Sequence, residues 1–379
     1  MKIKAAVLHA LGTAQPYAET KPLTIEEVEL APPGPGEVLI EVKAAGLCHS
    51  DLSVINGSRP RPMPMVIGHE AAGVVAECGP GVDDLKAGDK VVMVFVPSCG
   101  SCLPCAEGRP ALCEPGAETN TAGTLLSGAR RLERTSAPAD PLLHHHMGVS
   151  AFAEYAVVSR RSLIKVDDEE LSHEEAALFG CAVLTGVGAV VNTAQVPPGS
   201  SVAVLGLGGV GLNALLGARL SGARHIVALD LQESKLALAS ELGATGTVNA
   251  ADPNAIEAVK DMTGGGVDFA FELAGSVKAM EQAYRITRRG GTTVSAGLPH
   301  PDHRWELQHV NMVAEERTIK GSYIGSCVPM RDIPRYIELY RRGQLPVDRL
   351  MSDVIALEEI NSGFDRLAAG KTVRQVIRF

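Results

Sequence analysis

Residues 202–211 read VAVLGLGGVG, and no other run in the chain constrains the fold as tightly. A short apolar strand pattern passes into Gly206-Leu207-Gly208-Gly209-Val210-Gly211, and an apolar helix pattern follows over 212–220. Strand, glycine turn and helix in that order form the context of a dinucleotide-binding turn. Gly206 permits the turn, Gly208 lets backbone approach a pyrophosphate, and Gly211 lets helix and strand pack closely. The free N–H groups at the helix start face the phosphates. A second strand pattern over 224–229 ends at Asp230. A carboxylate there is placed to accept hydrogen bonds from adenosine ribose hydroxyls and to repel a 2′-phosphate, so the turn reads as a site for NAD rather than NADP.

The 379 residues exceed one ordinary core, so two domains are expected. The net charge is −9 and no basic cluster stands out, which argues against nucleic acid and anionic membrane as partners. The N-terminal residues lack the apolar core of a signal peptide, and a cytoplasmic protein is expected. Residues 176–218 carry no charge. Asn192, Gln195 and the 197–201 turn residues interrupt them, so the expectation is buried helix, turn, buried strand and buried helix, with no unbroken helix of spanning length.

Four of the eight cysteines crowd into Cys99-x2-Cys102-x2-Cys105-x7-Cys113. Glycines and prolines between them suit a tight loop around a closed tetrahedral site of four thiolates, which points to structural zinc. An iron–sulfur cluster is the rival, but its usual run has a shorter last gap and a proline directly after the fourth cysteine, where this chain has Glu114. Cys48, His69 and Cys181 are zinc-capable residues scattered along the chain. A Cys, His, Cys set leaves a fourth tetrahedral position open, as catalytic zinc requires. Spacing alone does not bring the three together.

Residues 1–45 alternate strand patterns with turns, and an antiparallel sheet is expected. Residues 114–147 read as a polar irregular loop, in which the consecutive His144, His145 and His146 do not share a face and are expected to be loop or pocket-wall residues rather than metal ligands. From residue 202 the rhythm is β-α-β-α, predicting six strands in a doubly wound parallel sheet. That rhythm stops after 324, and the tail is expected to rejoin the first domain. The predicted domains are 1–182 with 325–379, interrupted by 183–324.

On the combination of Gly46-Leu-Cys-His-Ser-Asp51, Gly68-His-Glu70, the four-cysteine lobe and GLGGVG, the chain resembles the zinc-containing medium-chain alcohol dehydrogenases. The resemblance runs nearly end to end. It implies an α/β chain with a GroES-like β-rich catalytic domain interrupted by a Rossmann domain. It implies Cys48, His69 and Cys181 as catalytic zinc ligands, with Glu70 as a carboxylate able to enter the coordination sphere. Asp51 would orient the zinc-bound imidazole, and Ser50 would take the substrate proton. His49 and Arg374 would hold the cofactor pyrophosphate, and Lys235 would join Asp230 at the ribose. Phe95, His146, Met147 and Leu298 would line an alcohol pocket.

The implied reaction moves hydride between a primary alcohol, aromatic or medium-chain aliphatic, and NAD. Catalytic zinc, structural zinc and a homodimeric state complete what the resemblance implies. Ser53 stands where the family usually carries a His or Tyr proton relay. Ser58, Pro60 and Ala117 depart from the glutathione-dependent formaldehyde dehydrogenases, which makes glutathione-adduct oxidation unexpected. Three alternatives stay open: a thiol-dependent formaldehyde dehydrogenase, a nicotinoprotein with tightly held NAD, and a non-catalytic zinc- and NAD-binding redox sensor. Cys78 and Cys327 have no motif partner and are expected to be buried thiols.

Overall fold

A computed structural model describes residues 1–135 and 141–379. The chain divides into two compact units, Met1–Cys181 with Val328–Arg335 and Met351–Phe379, and Ala182–Cys327 with Tyr336–Leu350.

In the first unit, strands Lys2–Leu8, Leu23–Leu30, Leu132–Arg134, Leu142–His145 and Met65–Val66 close a small barrel. Alternation along Lys2–Leu8 turns Ile3, Ala5 and Val7 into a core shared with Val28, Leu30, Val66 and Leu143. A seven-stranded sheet lies in the same unit, with Glu37–Gly46 pairing on successive stretches with Ala71–Cys78, Tyr155–Ser159 and Arg374–Arg378. The register sets Val376 opposite Gly46, which brings the C-terminal strand beside the start of the Leu47–Cys48 segment.

The tail adds a parallel pair to this sheet. Strands Met351–Ile355 and Arg374–Arg378 run parallel, and helix Ile360–Ala368 supplies the crossover such a pair needs. Residues 336–350, expected in the first domain, cluster with the second unit. Leu345, Val347 and Leu350 are buried there, and Arg349 pairs with Glu241 at 2.9 Å.

Two local expectations are corrected. Residues 114–147 are not irregular throughout, because helix Glu114–Ala122 and the two short barrel strands occupy much of that stretch. The helix carries Pro115 in its first turn, with the Cys113 thiol accepting from the Gly116 N–H, and ends at left-handed Gly123. Its Ala/Thr/Asn composition hides it from a hydrophobic-period reading. The remainder of the expected loop, residues 136–140, lies outside the described residues. Second, one unbroken 22-residue helix covers His173–Ala194. It starts at a Ser172/Glu175 capping box and passes through π-helical turns at Phe179–Val183 and Ala189–Ala194 instead of stopping at Asn192. Most of its apolar length is buried, as expected of a core helix.

The second unit is a six-stranded parallel sheet in the order Gly246–Asn249, His225–Asp230, Ser201–Leu205, Val267–Glu272, Thr287–Ser295, Thr318–Gly321. The order reverses beside Ser201–Leu205, so the crevice beyond its carboxyl end is the topological switch point where such sheets bind ligands. All five residues of that strand are buried, which explains why it reads as an unbroken apolar run.

Candidate active site

The glycine turn sits at that switch point. Gly206 has φ +90°, a conformation that favours glycine, and a Cβ there would meet the Ala274 backbone nitrogen at 2.7 Å. Gly211 packs directly on the Gly206 carbonyl, leaving no room for a side chain. Gly208 differs, since a Cβ on it would meet no atom of the described residues within 4 Å. Gly208 also caps helix Gly209–Leu220 without any side-chain hydrogen bond, so the first helical N–H groups, those of Gly209 and Val210 among them, keep donor capacity for an anion.

Asp230 ends the neighbouring strand and ties the turn to it. One carboxylate oxygen accepts from Leu207 N at 2.7 Å and the other from Gln232 N at 3.0 Å. A cavity of about 570 Å³ opens beside it, lined among others by Gly206, Asp230, Ile256 and Ala274. Lys235 sits half-buried on helix Glu233–Leu242, which starts just past Asp230.

In the first unit, the thiols of Cys48 and Cys181, the His69 imidazole and the Glu70 carboxylate place their ligand atoms within 4.8 Å of one another, all four residues buried. Each arrives by a separate route. Cys48 precedes helix His49–Ile55, His69 and Glu70 lead into strand Ala71–Cys78, and Cys181 lies in the π-helical turn. Gly68, at φ +97°, makes the bend, and Phe152 fills the space a side chain would need. The Cys181 sulfur stands 3.5 Å from His69 Nε2.

Asp51 holds the other end of that imidazole. Its Oδ1 lies 2.9 Å from His69 Nδ1, and its Oδ2 accepts from Cys48 N at 3.3 Å. With Nδ1–H donating to Asp51, Nε2 is the ring nitrogen that faces the thiols. The arrangement is charged in a dry place. The hydrogen bond from Cys181 holds the Cys48 thiol well below its usual value; burial opposes this, while the charges of His69 and Arg374 reinforce it. The same contact, then burial, pushes the Cys181 thiol well up. Burial works against a charged His69, but Asp51 and Cys48 outweigh it and raise that imidazole. Burial also pushes the Glu70 carboxyl up to about 7, against the pull of Arg374, whose Nη1 lies 3.3 Å from Glu70 Oε2.

Both Glu70 oxygens are buried without a hydrogen-bond partner among the described residues. Two thiols, an imidazole and an unsatisfied carboxylate make a donor set that fits zinc.

The four lobe cysteines also converge, with all sulfurs within 4.8 Å of one another and Cys102 and Cys113 4.0 Å apart. Sulfurs bound to one tetrahedral zinc stand about 3.8 Å apart at a 2.3 Å bond length, so the lobe is close to that geometry. Backbone N–H groups of Ser101 and Cys102 point at Cys99, and those of Cys99 and Gly116 at Cys113. The Ser101 and Cys102 donors hold the Cys99 thiol down at about 6.

The remaining expected site residues are placed as follows. Ser50 is half-buried on helix His49–Ile55, and His49 is exposed at its start. Ser53 donates to the His49 carbonyl at 2.8 Å, a bond within the helix. Arg374, expected at the pyrophosphate, is buried at the metal-capable cluster, where it also donates to the Leu47 carbonyl at 3.3 Å. Phe95 stands edge-on to the His69 ring at 5.1 Å. Met147 is buried at φ +51°, next to His146. Leu298, 52% exposed, belongs to the second unit. Cys327 is buried, whereas Cys78 is half-buried and donates to the Leu85 carbonyl at 3.4 Å.

His146 is the correction of most consequence. Expected as pocket wall, it is fully buried with Nδ1 3.2 Å from Asp51 Oδ1, and it forms a third close group of metal-capable residues with Asp51 and His69. The repeated histidines obscured it, because only the register of strand Leu142–His145 and the turn after it separate the three. His145 faces the barrel, where its Nε2 accepts from Arg131 N at 3.0 Å.

A metal-capable centre on one unit and a dinucleotide fold in the other define the class, a zinc-binding dehydrogenase. Residues 34–168 match the alcohol dehydrogenase GroES-like domain, and residues 209–342 match the zinc-binding dehydrogenase domain. An alcohol dehydrogenase zinc-binding domain protein from Burkholderia ambifaria is 37% identical, with 100% of this chain and 99% of that one covered and a TM-score of 0.93. Benzyl alcohol dehydrogenase from Acinetobacter calcoaceticus is 33% identical, over 100% and 99% of the two chains, at a TM-score of 0.92. A putative zinc-binding dehydrogenase from Sinorhizobium meliloti 1021, bound to NADP, is 28% identical over 100% of each chain, at 0.81. The chain belongs to the zinc-containing medium-chain alcohol dehydrogenase family.

Proposed function

We propose that the protein oxidises primary alcohols, aromatic or medium-chain aliphatic, to aldehydes with NAD, and runs the reverse reduction. The observation that carries this reading is the buried Cys48, His69, Glu70 and Cys181 cluster, with ligand atoms within 4.8 Å. Cys48, His69 and Cys181 would hold the catalytic zinc, with Glu70 in reserve, and Cys99, Cys102, Cys105 and Cys113 a structural zinc. When bound, zinc supplies a Lewis acid that acidifies an alcohol, and the dinucleotide supplies the hydride acceptor.

The chain's own residues do the rest. Asp51 aims His69 through its Nδ1–H. Arg374 offsets the Glu70 charge. Ser50, two residues from Cys48, is assigned the hydroxyl that receives the substrate proton. The helix start at Gly209 would hold the phosphates, and Asp230 with Lys235 would take the ribose. The Asp230 carboxylate favours NAD, because it would face the extra phosphate of NADP. The likeness to a benzyl alcohol dehydrogenase and the Phe95 ring beside His69 support aromatic substrates.

The test is NADH formation by the purified protein over aliphatic and aromatic primary alcohols, with NADP and with formaldehyde plus glutathione as separate arms. Turnover of simple alcohols with NAD is the expected result. Activity confined to the glutathione arm, or to NADP, would refute the corresponding half of the reading.

A further inference from the structure

We infer that His146 is a positioning residue for the metal centre, acting through Asp51. The inference rests on the metal-ligand assignment proposed above. Asp51 is a carboxylate with no exposure to water, and so is each of its imidazole neighbours, His69 and His146. A buried carboxylate must have its lone pairs satisfied inside the protein. Asp51 Oδ2 takes the Cys48 N–H, while Oδ1 faces His69 Nδ1 at 2.9 Å and His146 Nδ1 at 3.2 Å. Two imidazoles therefore flank one oxygen, their rings edge-to-face at 5.7 Å. The His146 contact is a close polar approach rather than a well-aligned hydrogen bond, and its ring nitrogens have no hydrogen-bond partner among the described residues; without that imidazole the carboxylate keeps only His69 on that side and is free to rotate. The ring it aims, and with it the Nε2 lone pair offered to the metal, is then less well held.

The backbone around His146 is built to hold it there. Its own N–H donates to Ser150 Oγ at 2.9 Å, and its carbonyl accepts from Val149 N and Ser150 N. Met147, Gly148 and Ser150 all have positive φ, from 51° to 66°. Non-glycine residues adopt that region only where the surroundings enforce it. The turn thus places an imidazole, rather than merely closing a loop, at the back of the cluster.

The measurement is the rate of zinc release from the full-length zinc-loaded protein to an excess of chelator. The phase missing from Cys48→Ser identifies the cluster metal, and the other phase, from the four-cysteine lobe, serves as the folding control. His146→Leu is expected to speed the cluster phase about tenfold, at the low end for loss of a partner behind a metal ligand. His146→Phe, similar in shape but without a donor, should do the same. His146→Asn, whose amide nitrogen falls where Nδ1 does, should stay within about twofold of the parent protein. In an Asp51→Asn background, His146→Leu should add nothing further, because its route to the metal is already cut.

Parent-like release from His146→Leu and His146→Phe overturns the inference, as does an equal acceleration in the Asp51→Asn background. If Cys48→Ser loses no phase, the metal-ligand assignment itself fails, and the inference fails with it.

Discussion

Gly208 and Gly211 are three positions apart in one turn, and the structure assigns them different physical jobs that a pair of alanine substitutions separates. A Cβ on Gly211 would stand 2.8 Å from the Gly206 carbonyl carbon and closer still to its oxygen. Unstrained carbon contacts begin at about 3.5 Å, so the start of helix Gly209–Leu220 must withdraw by at least about 0.7 Å. The neighbouring atoms are backbone and cannot swing away, which puts the cost at the upper end for overpacking, about 3 kcal/mol. For a domain of this size that lowers the midpoint of thermal unfolding by about 6–12 °C.

On Gly208 the same methyl meets no atom of the described residues within 4 Å, and the backbone there, at φ −74°, already suits alanine. Stability should change by less than about 1 kcal/mol, the small entropic gain offsetting a weaker helix cap. Dinucleotide binding should nonetheless fall in Gly208→Ala by more than about tenfold, because a methyl then stands where the phosphate backbone approaches. Thermal unfolding and titration of NAD by fluorescence or calorimetry check both. If Gly208→Ala bound NAD normally, or if Gly211→Ala unfolded at the parent temperature, the division of labour argued from these contacts would be wrong.

Replacing Cys48 by Ser should lower alcohol turnover by more than about a thousandfold, since a hydroxyl is a poor substitute for a thiolate on zinc, while metal analysis still finds the lobe metal. Asp230→Ala should narrow the preference for NAD over NADP by about tenfold, one like-charge interaction of about 1.4 kcal/mol; it should also weaken NAD, because Leu207 N and Gln232 N lose their acceptor. Glu37 is 2% exposed, and although burial opposes it, hydrogen bonds from Ser127, Gly34 and Arg131 hold its carboxyl below the usual range. A depressed folded value means its contribution is complete above the unfolded pKa of about 4.3 and disappears as pH falls through the folded one. Glu37→Gln should therefore lose about 1–3 kcal/mol at pH 7, and its stability should fall less steeply than the parent's between about pH 5 and 3, as followed by unfolding midpoints.

What the sequence determined by itself is what short-range spacing encodes. The glycine turn, the apolar strand ending at Asp230 and the rhythm that follows were legible as a six-stranded parallel sheet, since the central strand Ser201–Leu205 is buried throughout and each crossover carries its own helical period. The lobe was legible for a similar reason, its four thiols lying within one short loop. The tertiary structure alone decided what lies far apart in the chain. His69 and Cys181 are 112 positions apart, and Arg374 reaches Leu47 across 327. No local pattern encodes that meeting, and without the family resemblance three isolated residues would have stayed packed-core candidates. Helix Glu114–Ala122 went unseen because it has little apolar face to reveal its period. The helix runs on past Asn192 because a second π-helical turn carries it to Ala194. His146 was misplaced because three identical neighbours have no distinguishing periodicity. Only the register of Leu142–His145 and the left-handed turn beyond it send one imidazole to the barrel and the next to Asp51.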